Sequence, residues 1–131
     1  MIFVSGVTGH IGNVLVRELL GGGERVRVLV PPGKKSLALA GLDVEMVPGD
    51  ILNTESLDLA LRGVRLVYHL AARISLTAGP DPEIGRVNLE GTRNIIAAVL
   101  RLGTARLVYV SSVYALEKAH RRQPHRRNAT F

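Results

Sequence analysis

A repeated glycine spacing near the N-terminus constrains the fold more than any other feature of this 131-residue chain. Gly6, Gly9 and Gly12 follow a short apolar run, residues 1–4, and precede apolar residues that recur at helical spacing over residues 11–20. Glycine permits a tight turn between a strand and a helix, and it lets the helix pack closely against a sheet. The sequence therefore predicts a strand, a glycine-rich loop and a helix, in that order.

The rest of the chain alternates between the same two kinds of segment. The predicted strands are residues 1–4, 25–30, 44–47, 66–70 and 106–110, and the predicted helices are residues 11–20, 36–40, 54–62 and 81–102. Asn53 or Thr54 caps the third helix, Asp81 and Pro82 begin the fourth, and Gly103 ends it. Alternating strands and helices imply parallel pairing, with helices on both faces of the sheet. We predict a doubly wound α/β domain of Rossmann type with five parallel strands.

Composition excludes several classes of protein. Hydrophobic residues make up 47% of the chain, which is enough to bury the core of one domain and excludes a wholly disordered chain. The chain has no cysteine, so disulfides, thiol catalysis and cysteine-based zinc sites are excluded, and we predict no metal site. Charged residues interrupt every apolar run before it reaches the about 18 residues of a membrane span. Residues 1–4 do not resemble a signal peptide, so a cytoplasmic protein without a membrane interaction is the simplest expectation.

The positive charge is concentrated at the C-terminal end. Residues 117–131 carry five basic residues and one acidic residue, and they contribute most of the net charge of +6. We predict one domain over residues 1–116 and a basic, irregular tail over residues 117–131. The tail has arginines for phosphate contacts but no aromatic side chain before Phe131 on which a base would stack. Nucleic-acid binding is therefore disfavoured.

The glycine spacing also suits a loop that binds phosphate. The first turn of a helix has unpaired N–H groups and a partial positive charge, and both favour a pyrophosphate. We expect the backbone around Gly9, His10 and Ile11 to face such a group, with Thr8 and Gly12 beside it. The alternative is that the glycines only form a turn. His10 is expected to pack or to meet solvent rather than to act in catalysis.

Four further segments occur in the order in which a known family has them. They are Gly49-Asp50-Ile51, His69-Leu70-Ala71-Ala72, residues 87–94 and Tyr109-Val110-Ser111-Ser112. Together with the glycine loop they resemble the extended short-chain dehydrogenases/reductases, which include NAD(P)-dependent sugar epimerases, dehydratases and dihydroflavonol reductases. The resemblance covers residues 1 to about 116. It implies the NAD(P)-binding domain of an enzyme that transfers hydride at a carbonyl or hydroxyl carbon.

The resemblance assigns cofactor-binding roles to residues at the ends of two strands. Asp50 matches an aspartate that accepts a hydrogen bond from the adenine amino group, and Ile51 lies beside it. Leu70, Ala71 and Ala72 match residues that line the cofactor with small side chains and backbone polar groups. The alternative for Asp50 is a purely local role in capping or turning the loop.

The end of the second predicted strand bears on the choice between NAD and NADP. A carboxylate there would hold a free ribose 2′-hydroxyl, whereas a basic residue would bind a 2′-phosphate. Val30 is followed by Pro31, Pro32 and a glycine, and then by Lys34 and Lys35, without an acidic residue. The two lysines favour NADP, and the alternative is a solvated basic turn.

The resemblance also implies a catalytic serine. Ser112 matches it, with Ser111 as the second candidate, and its expected role is to hydrogen-bond the substrate carbonyl or hydroxyl. The family's catalytic tyrosine and lysine form a Tyr-x-x-x-Lys motif on the following helix. Tyr114 and Lys118 have this spacing but follow Ser112 too closely, so we interpret the catalytic pair as absent. Asn88 matches an asparagine with a structural role.

These features suggest the N-terminal part of an extended enzyme, truncated relative to the family and with little turnover of its own. A frameshift or premature stop near Lys118 would explain the abrupt change of composition, and a genuine basic tail is the other explanation. A non-catalytic module that senses a dinucleotide is the alternative function. The expected partners are the dinucleotide cofactor and a small-molecule substrate whose identity stays open, as does homo-oligomer formation.

Overall fold

The computed structural model describes residues 1–32, 37–74, 81–104 and 106–112. The strands within these residues are β1 (Ile2–Ser5), β2 (Val26–Val30), β3 (Glu45–Pro48), β4 (Leu66–His69) and β5 (Arg106–Tyr109). The α-helices are α1 (His10–Gly21), α2 (Thr54–Leu61), α3 (Pro82–Gly85) and α4 (Gly91–Leu102). All five predicted strands are confirmed, and none of their ends moves by more than one residue. The short helix predicted over residues 36–40 is a single 3-10 turn, Leu37–Leu39.

The strands form one parallel sheet in the order β3-β2-β1-β4-β5. The chain proceeds outward from β1 to β3 on one side and from β4 to β5 on the other, so the strand order reverses between β1 and β4. Ile2 of β1 is aligned with Val26 of β2 and with Leu66 of β4. In open parallel sheets, ligands bind beyond the carboxyl ends of the strands at such a reversal. The doubly wound fold is therefore confirmed, and it places a crevice beyond Ser5 and His69.

Apolar side chains cover both faces of the sheet. Ile2 and Val4 of β1 belong to one core, which includes Val16 of α1. Phe3 belongs to the opposite core, which contains residues of α2 and α4 such as Leu57. Because alternate residues of β1 are buried on opposite faces, Ile2, Phe3 and Val4 are all apolar, as expected for a parallel sheet between two helical layers.

The helix ends follow the local signals in the sequence. The side chain of Asn53 accepts a hydrogen bond from the backbone N–H of Ser56, and the carboxylate of Asp81 accepts one from Glu83. Gly103 ends α4 with a φ of 66°, the left-handed conformation that glycine adopts without strain. The sequence left Asn53 and Thr54 open as caps, and the structure selects Asn53.

The long helix predicted over residues 81–102 is not uniform. After α3 the chain forms a π-helical turn, Arg86–Glu90, and α4 begins only at Gly91. A Cβ atom on Gly91 would collide with the side chain of Ile51, so the segment packs tightly on the loop that follows β3. The apolar spacing could not reveal this turn, because it shows which residues face the core and not how many residues each turn contains. Turns of this kind often lie at functional sites.

Arg27 of β2 is a half-buried charged residue that links the sheet to α2. One of its guanidinium nitrogens donates hydrogen bonds to the carbonyl oxygens of Ala60 and Arg62, at 2.9 and 2.8 Å, and Nε donates to the carboxylate of Glu45 at 2.8 Å. The Arg27 side chain is only 15% exposed. It therefore satisfies carbonyl groups that the last turn of any helix leaves unpaired.

We expect Arg27→Met to lower the free energy of unfolding by about 2 kcal/mol, because two carbonyl groups and the Glu45 carboxylate lose their partner. Arg65→Met is the matched control, since Arg65 forms an ion pair with Glu24 but is 55% exposed, and such pairs contribute less than about 1 kcal/mol. Urea denaturation of both variants measures the difference. Equal effects of the two substitutions would show that Arg27 does not have this capping role.

None of the helices in the described parts of the chain combines the length and the apolar composition needed to cross a membrane.

Candidate functional site

A cleft of about 350 Å³ opens at the carboxyl ends of β1 and β4, where the strand order reverses. Eight of the residues predicted to bind the cofactor line it: Gly6, Thr8, Gly9, Asp50, Ile51, Leu70, Ala71 and Ala72. Its other lining residues are Ser5, Val7, Leu29, Pro31, Gly49 and Val87. Residues from three separate sequence motifs thus meet in one place, as their order along an α/β chain predicted.

The start of α1 leaves N–H groups without an acceptor. The N–H of Gly9 donates to the carbonyl of Gly6 at 3.1 Å, and Asn13 is the first residue whose N–H bonds within the helix, to the carbonyl of Gly9 at 3.0 Å. Gly9 provides no side-chain cap, and the first turn contains no acidic residue. Of the N–H groups predicted to face a ligand, that of Gly9 is engaged within the loop. Those of His10, Ile11 and Gly12 have no acceptor among the residues that the structure describes.

Two of the three glycines are required by close backbone packing. Gly6 has a φ of 76°, and a Cβ on it would lie 2.6 Å from the backbone nitrogen of Ala71. A Cβ on Gly12 would collide with the carbonyl oxygen of Gly6 and lie 2.9 Å from the Cα of Val7. Gly9 differs, since its Cβ would meet only the Gly6 oxygen, at 3.3 Å. Gly6 therefore makes the turn and Gly12 lets α1 approach it, while a Cβ on Gly9 would have a single tight contact.

Asp50 lies at the opposite wall of the cleft, after β3. Its Oδ1 accepts a hydrogen bond from the backbone N–H of Leu52 at 2.9 Å, so the carboxylate also shapes its own loop. The hydroxyl of Ser56 donates to the Asp50 carbonyl at 3.0 Å, and the side-chain amide of Asn94 donates to the carbonyl of Ile51 at 3.1 Å. The loop-forming role is thus present, and the exposed carboxylate stays accessible from the cleft.

A buried histidine connects the ends of β1 and β4. His69 is fully buried, and its Nδ1 lies 2.8 Å from Oγ of Ser5, while its Nε2 lies 3.0 Å from Oγ1 of Thr92. Its ring also stacks on Tyr109, with the ring centroids 5.4 Å apart. His69 was part of a quoted motif but had no predicted role, and nothing was predicted for Ser5.

The hydrogen-bond partners determine which nitrogen of His69 carries the proton. The Thr92 hydroxyl donates to the carbonyl of Asn88 at 2.7 Å, so it accepts from the histidine and the proton lies on Nε2. Ser5 Oγ accepts from the backbone N–H groups of Leu70 and Ala71, both at 3.3 Å, and therefore donates its own proton to Nδ1 of His69. Each donor in this network finds an acceptor only if the imidazole is neutral.

Burial has the expected electrostatic effect on this group. Desolvation lowers the pKa of His69 from its ordinary 6.5 to about 4. An added proton on Nδ1 would also face a Ser5 oxygen that already accepts two hydrogen bonds. The network and the desolvation therefore favour the same neutral form.

The candidate catalytic serines lie just beyond β5. Ser111 and Ser112 are exposed and follow Val110, whose backbone N–H donates to the carbonyl of His69 at 3.1 Å. They are therefore at the same edge of the sheet as the cleft, although neither lines it. Lys34, Lys35, Tyr114 and Lys118 lie outside the described residues, so their predicted roles stay predictions.

Comparison with known proteins identifies the family. The model of the 3-beta hydroxysteroid dehydrogenase/isomerase family matches residues 3–128, nearly the whole chain. The chain belongs to this family. The match includes most of the segment predicted to be a tail, residues 117–131, which the structure does not describe.

Relatives of this 3-beta hydroxysteroid dehydrogenase/isomerase family member include several reductase-type proteins. Sterol demethylase protein B of Methylococcus capsulatus is 42% identical over 113 residues, which are 86% of this chain and 34% of the relative. Cinnamoyl-CoA reductase 1 of Oryza sativa is 35% identical over 131 residues, which cover 95% of this chain and 38% of the relative. The chain thus spans about a third of the length of these relatives.

Solved structures show the same fold for this family member. A short-chain dehydrogenase/reductase superfamily protein of Agrobacterium tumefaciens, crystallised with bound NAD, superposes with a TM-score of 0.75 at 32% identity. The superposition covers 88% of this chain and 33% of that protein. A second structure, gox2253, has a TM-score of 0.80 at 39% identity and covers 89% of this chain and 36% of its own.

The cleft residues that sequence reasoning missed are mostly apolar. Val7 lies in the predicted glycine loop, Leu29 in a predicted strand and Val87 in a predicted helix; none of them was assigned to the cofactor, yet each lines the cleft. Pro31 was discussed for cofactor choice but not as a lining residue. Only the position of such residues near the ends of strands could have indicated that they line the cleft, because the carboxyl ends of β1 and β2 of this family member adjoin the crevice.

Proposed function

We propose that this chain is the NAD(P)-binding portion of an oxidoreductase, epimerase or dehydratase that transfers hydride at a carbonyl or hydroxyl carbon. The observation that carries the proposal is the uncapped start of α1 beside the cleft, where the N–H groups of His10, Ile11 and Gly12 have no acceptor within the described part of the chain. A pyrophosphate is the anion that suits this position, because the positive end of the helix and the free donors act together. The family membership supports the same ligand.

The cleft residues fit the whole dinucleotide and not only its phosphates. Gly6 and Gly9 allow the backbone to approach the pyrophosphate. The exposed carboxylate of Asp50 would accept a hydrogen bond from the adenine amino group. Leu70, Ala71 and Ala72 would border the other nucleotide on the far side of β1. The bound cofactor would supply the hydride acceptor and donor, and this chain supplies binding and orientation.

The catalytic part of the proposal rests on Ser112, with Ser111 as the second candidate. Either hydroxyl would hydrogen-bond the substrate oxygen at the sheet edge that carries the cleft. A serine in this role holds the carbonyl in place and stabilises charge on its oxygen. The proton exchange needs a tyrosine and a lysine, which in the family lie on the helix that follows the serine.

We propose NADP as the preferred cofactor, because Pro31 and Pro32 follow β2 without a carboxylate and two lysines come next in the sequence. Fluorescence titration with NADPH and NADH tests both binding and preference. We expect the double variant Lys34→Ala/Lys35→Ala to bind NADPH about tenfold more weakly and NADH with unchanged affinity. Arg62→Ala, which removes an exposed charge that does not line the cleft, should change neither affinity.

Two outcomes would contradict this assignment. An unchanged NADPH affinity in the double lysine variant would remove the preference for NADP while leaving the cleft as a dinucleotide site. Absence of binding of either nucleotide by the unmodified chain would contradict the proposed function itself.

A further inference from the structure

The β2 connection, residues 31–39, leads from the cleft to the layer of the domain that contains α1. Pro31, at its beginning, lines the cleft. Leu39, at its end, is buried in the core on the α1 face of the sheet. Lys34 and Lys35 occur between these two residues in the sequence. A contact that fixes the far end of the β2 connection therefore bears on the part of the chain that carries both lysines.

One side chain of α1 makes such a contact. The Nδ2 of Asn13 donates a hydrogen bond to the carbonyl oxygen of Ala38 at 2.6 Å, in a partly buried position. Arg17 lies one turn further along the helix, and its Nε donates to Oδ1 of Asn13 at 3.0 Å. A terminal nitrogen of Arg17 also reaches the Ala38 oxygen, at 3.4 Å. Arg17 thus occupies the oxygen of the Asn13 amide and directs its nitrogen towards the β2 connection.

Asn13 also belongs to the first turn of α1. Its backbone N–H donates to the carbonyl of Gly9, which is the first hydrogen bond within the helix. The N–H groups proposed to bind the pyrophosphate come from the three residues before it. Asn13 therefore joins the proposed phosphate-binding turn to the β2 connection by a single side chain.

We propose that Asn13 is a positioning residue that holds the β2 connection in place for the 2′-phosphate of the adenosine ribose. The end of β2 borders the 2′ position of that ribose in folds of this kind. Asn13 does not line the cleft, so it acts through Lys34 and Lys35 and not by touching the ligand. This inference rests on the proposed function and on its preference for NADP.

The physical reason is the cost of ordering a charged segment when the ligand binds. A lysine side chain binds a phosphate only if the backbone that carries it is held within reach. A backbone that is already fixed loses less conformational freedom on binding, and this raises the affinity. The hydrogen bond from Asn13 to Ala38 makes that contribution before the ligand arrives.

A purely structural role for Asn13 gives a different expectation. If the hydrogen bond only stabilised α1, its loss would disturb the helix start and weaken nucleotides with and without a 2′-phosphate alike. If Asn13 positions the lysines, the loss is confined to nucleotides with a 2′-phosphate. It also disappears when the lysines are absent, because two substitutions that act through the same contact are not additive.

The test titrates 5′-AMP and 2′,5′-ADP, which is the same nucleotide with an added 2′-phosphate, into four forms of the full chain. These are the unmodified chain, Asn13→Ala, Lys34→Ala/Lys35→Ala and the combined triple variant. We expect Asn13→Ala to weaken 2′,5′-ADP binding about fivefold, as the loss of one hydrogen bond suggests, and to leave 5′-AMP within about twofold. Without the lysines, Asn13→Ala should change neither affinity by more than about twofold.

Asn94→Ala is the matched control. The Asn94 amide also donates to a backbone carbonyl, that of Ile51, but on the adenine side of the cleft. Its loss should weaken both nucleotides by similar factors. If Asn13→Ala does not fold, Arg17→Lys takes its place, because it keeps an exposed positive charge and removes the donor that orients Asn13. We expect it to weaken 2′,5′-ADP alone, by about twofold to threefold.

Two results would overturn the inference while the proposed function stands. They are equal loss of 5′-AMP and 2′,5′-ADP in Asn13→Ala, and an effect of Asn13→Ala on 2′,5′-ADP that is undiminished without the lysines. An unchanged 2′,5′-ADP affinity in the double lysine variant would contradict the preference for NADP and the inference with it. Failure of the unmodified chain to bind either nucleotide would contradict the proposed function itself. The last two results do not involve Asn13, which keeps the failures distinct.

Discussion

Substitution of Gly12 by alanine is expected to abolish measurable dinucleotide binding and to lower the free energy of unfolding by about 2 to 3 kcal/mol. The added methyl group would collide with the carbonyl oxygen of Gly6, and the atoms around it, Gly6 C and Val7 Cα, are also backbone. Backbone atoms cannot rotate away as a side-chain end can. The loop and the start of α1 must therefore separate, which moves the N–H groups of His10 and Ile11 away from the ligand.

Gly21→Ala is the matched control for this substitution. Gly21 is the last residue of the same helix, it is exposed, and a Cβ on it would meet no atom within 4 Å. Alanine there should leave binding unchanged and should be neutral or stabilise the chain by up to about 1 kcal/mol. Urea denaturation and NADPH titration measure both effects. Wild-type affinity in Gly12→Ala would refute the close approach of α1 to the glycine loop.

Acid is expected to destabilise the chain through His69. Its pKa is lowered from 6.5 to about 4 in the folded state, so between these values the unfolded chain binds a proton that the folded chain does not. The stabilisation is fully present above pH 6.5 and is lost as the pH falls towards 4. One pKa unit corresponds to about 1.4 kcal/mol, so the loss attributable to His69 is about 3 kcal/mol.

Comparison with a variant isolates this contribution from that of the carboxylates. His69→Gln is expected to be less stable at pH 7 but to lose about 3 kcal/mol less than the natural chain between pH 7 and pH 4. If His69→Gln does not fold, an NMR titration replaces it. A His69 ring signal that titrates near pH 6.5 in the folded chain would contradict the prediction.

The elements and the glycine loop could be predicted because their signals are local. Apolar spacing located the strands, and Asn53, Asp81 and Gly103 marked helix ends through contacts within a few residues of themselves. The gathering of Gly6, Asp50 and residues 70–72 around one cleft also followed, because parallel strands bring their carboxyl ends to one edge of the sheet. The family resemblance led to the same assignment.

The polar network behind the cleft could not be predicted in this way. Ser5 and His69 are 64 residues apart in the sequence, and nothing in either local pattern shows that the two side chains meet. The same holds for Asn88 and Arg73, whose contact depends on a π-helical turn within an ordinary helical pattern. Burial requires Ser5 and His69 to hydrogen-bond to some partner, but only the register of β1 against β4 determines that they bond to each other.

The placement of Ser5 and His69 on neighbouring strands has a consequence for the order in which this chain matures during its synthesis. His69 is held between Ser5 and Thr92, which stand at opposite ends of the interval between residue 5 and residue 92, and β2, β3 and α2 all lie inside that interval. An emerging chain can therefore form β1, α1 and β2 early, with the glycine loop already bent, and still have no complete pocket. The cleft and the hydrogen bonds of His69 behind it can be complete only when β4 has docked and the helical segment carrying Thr92 has left the ribosome.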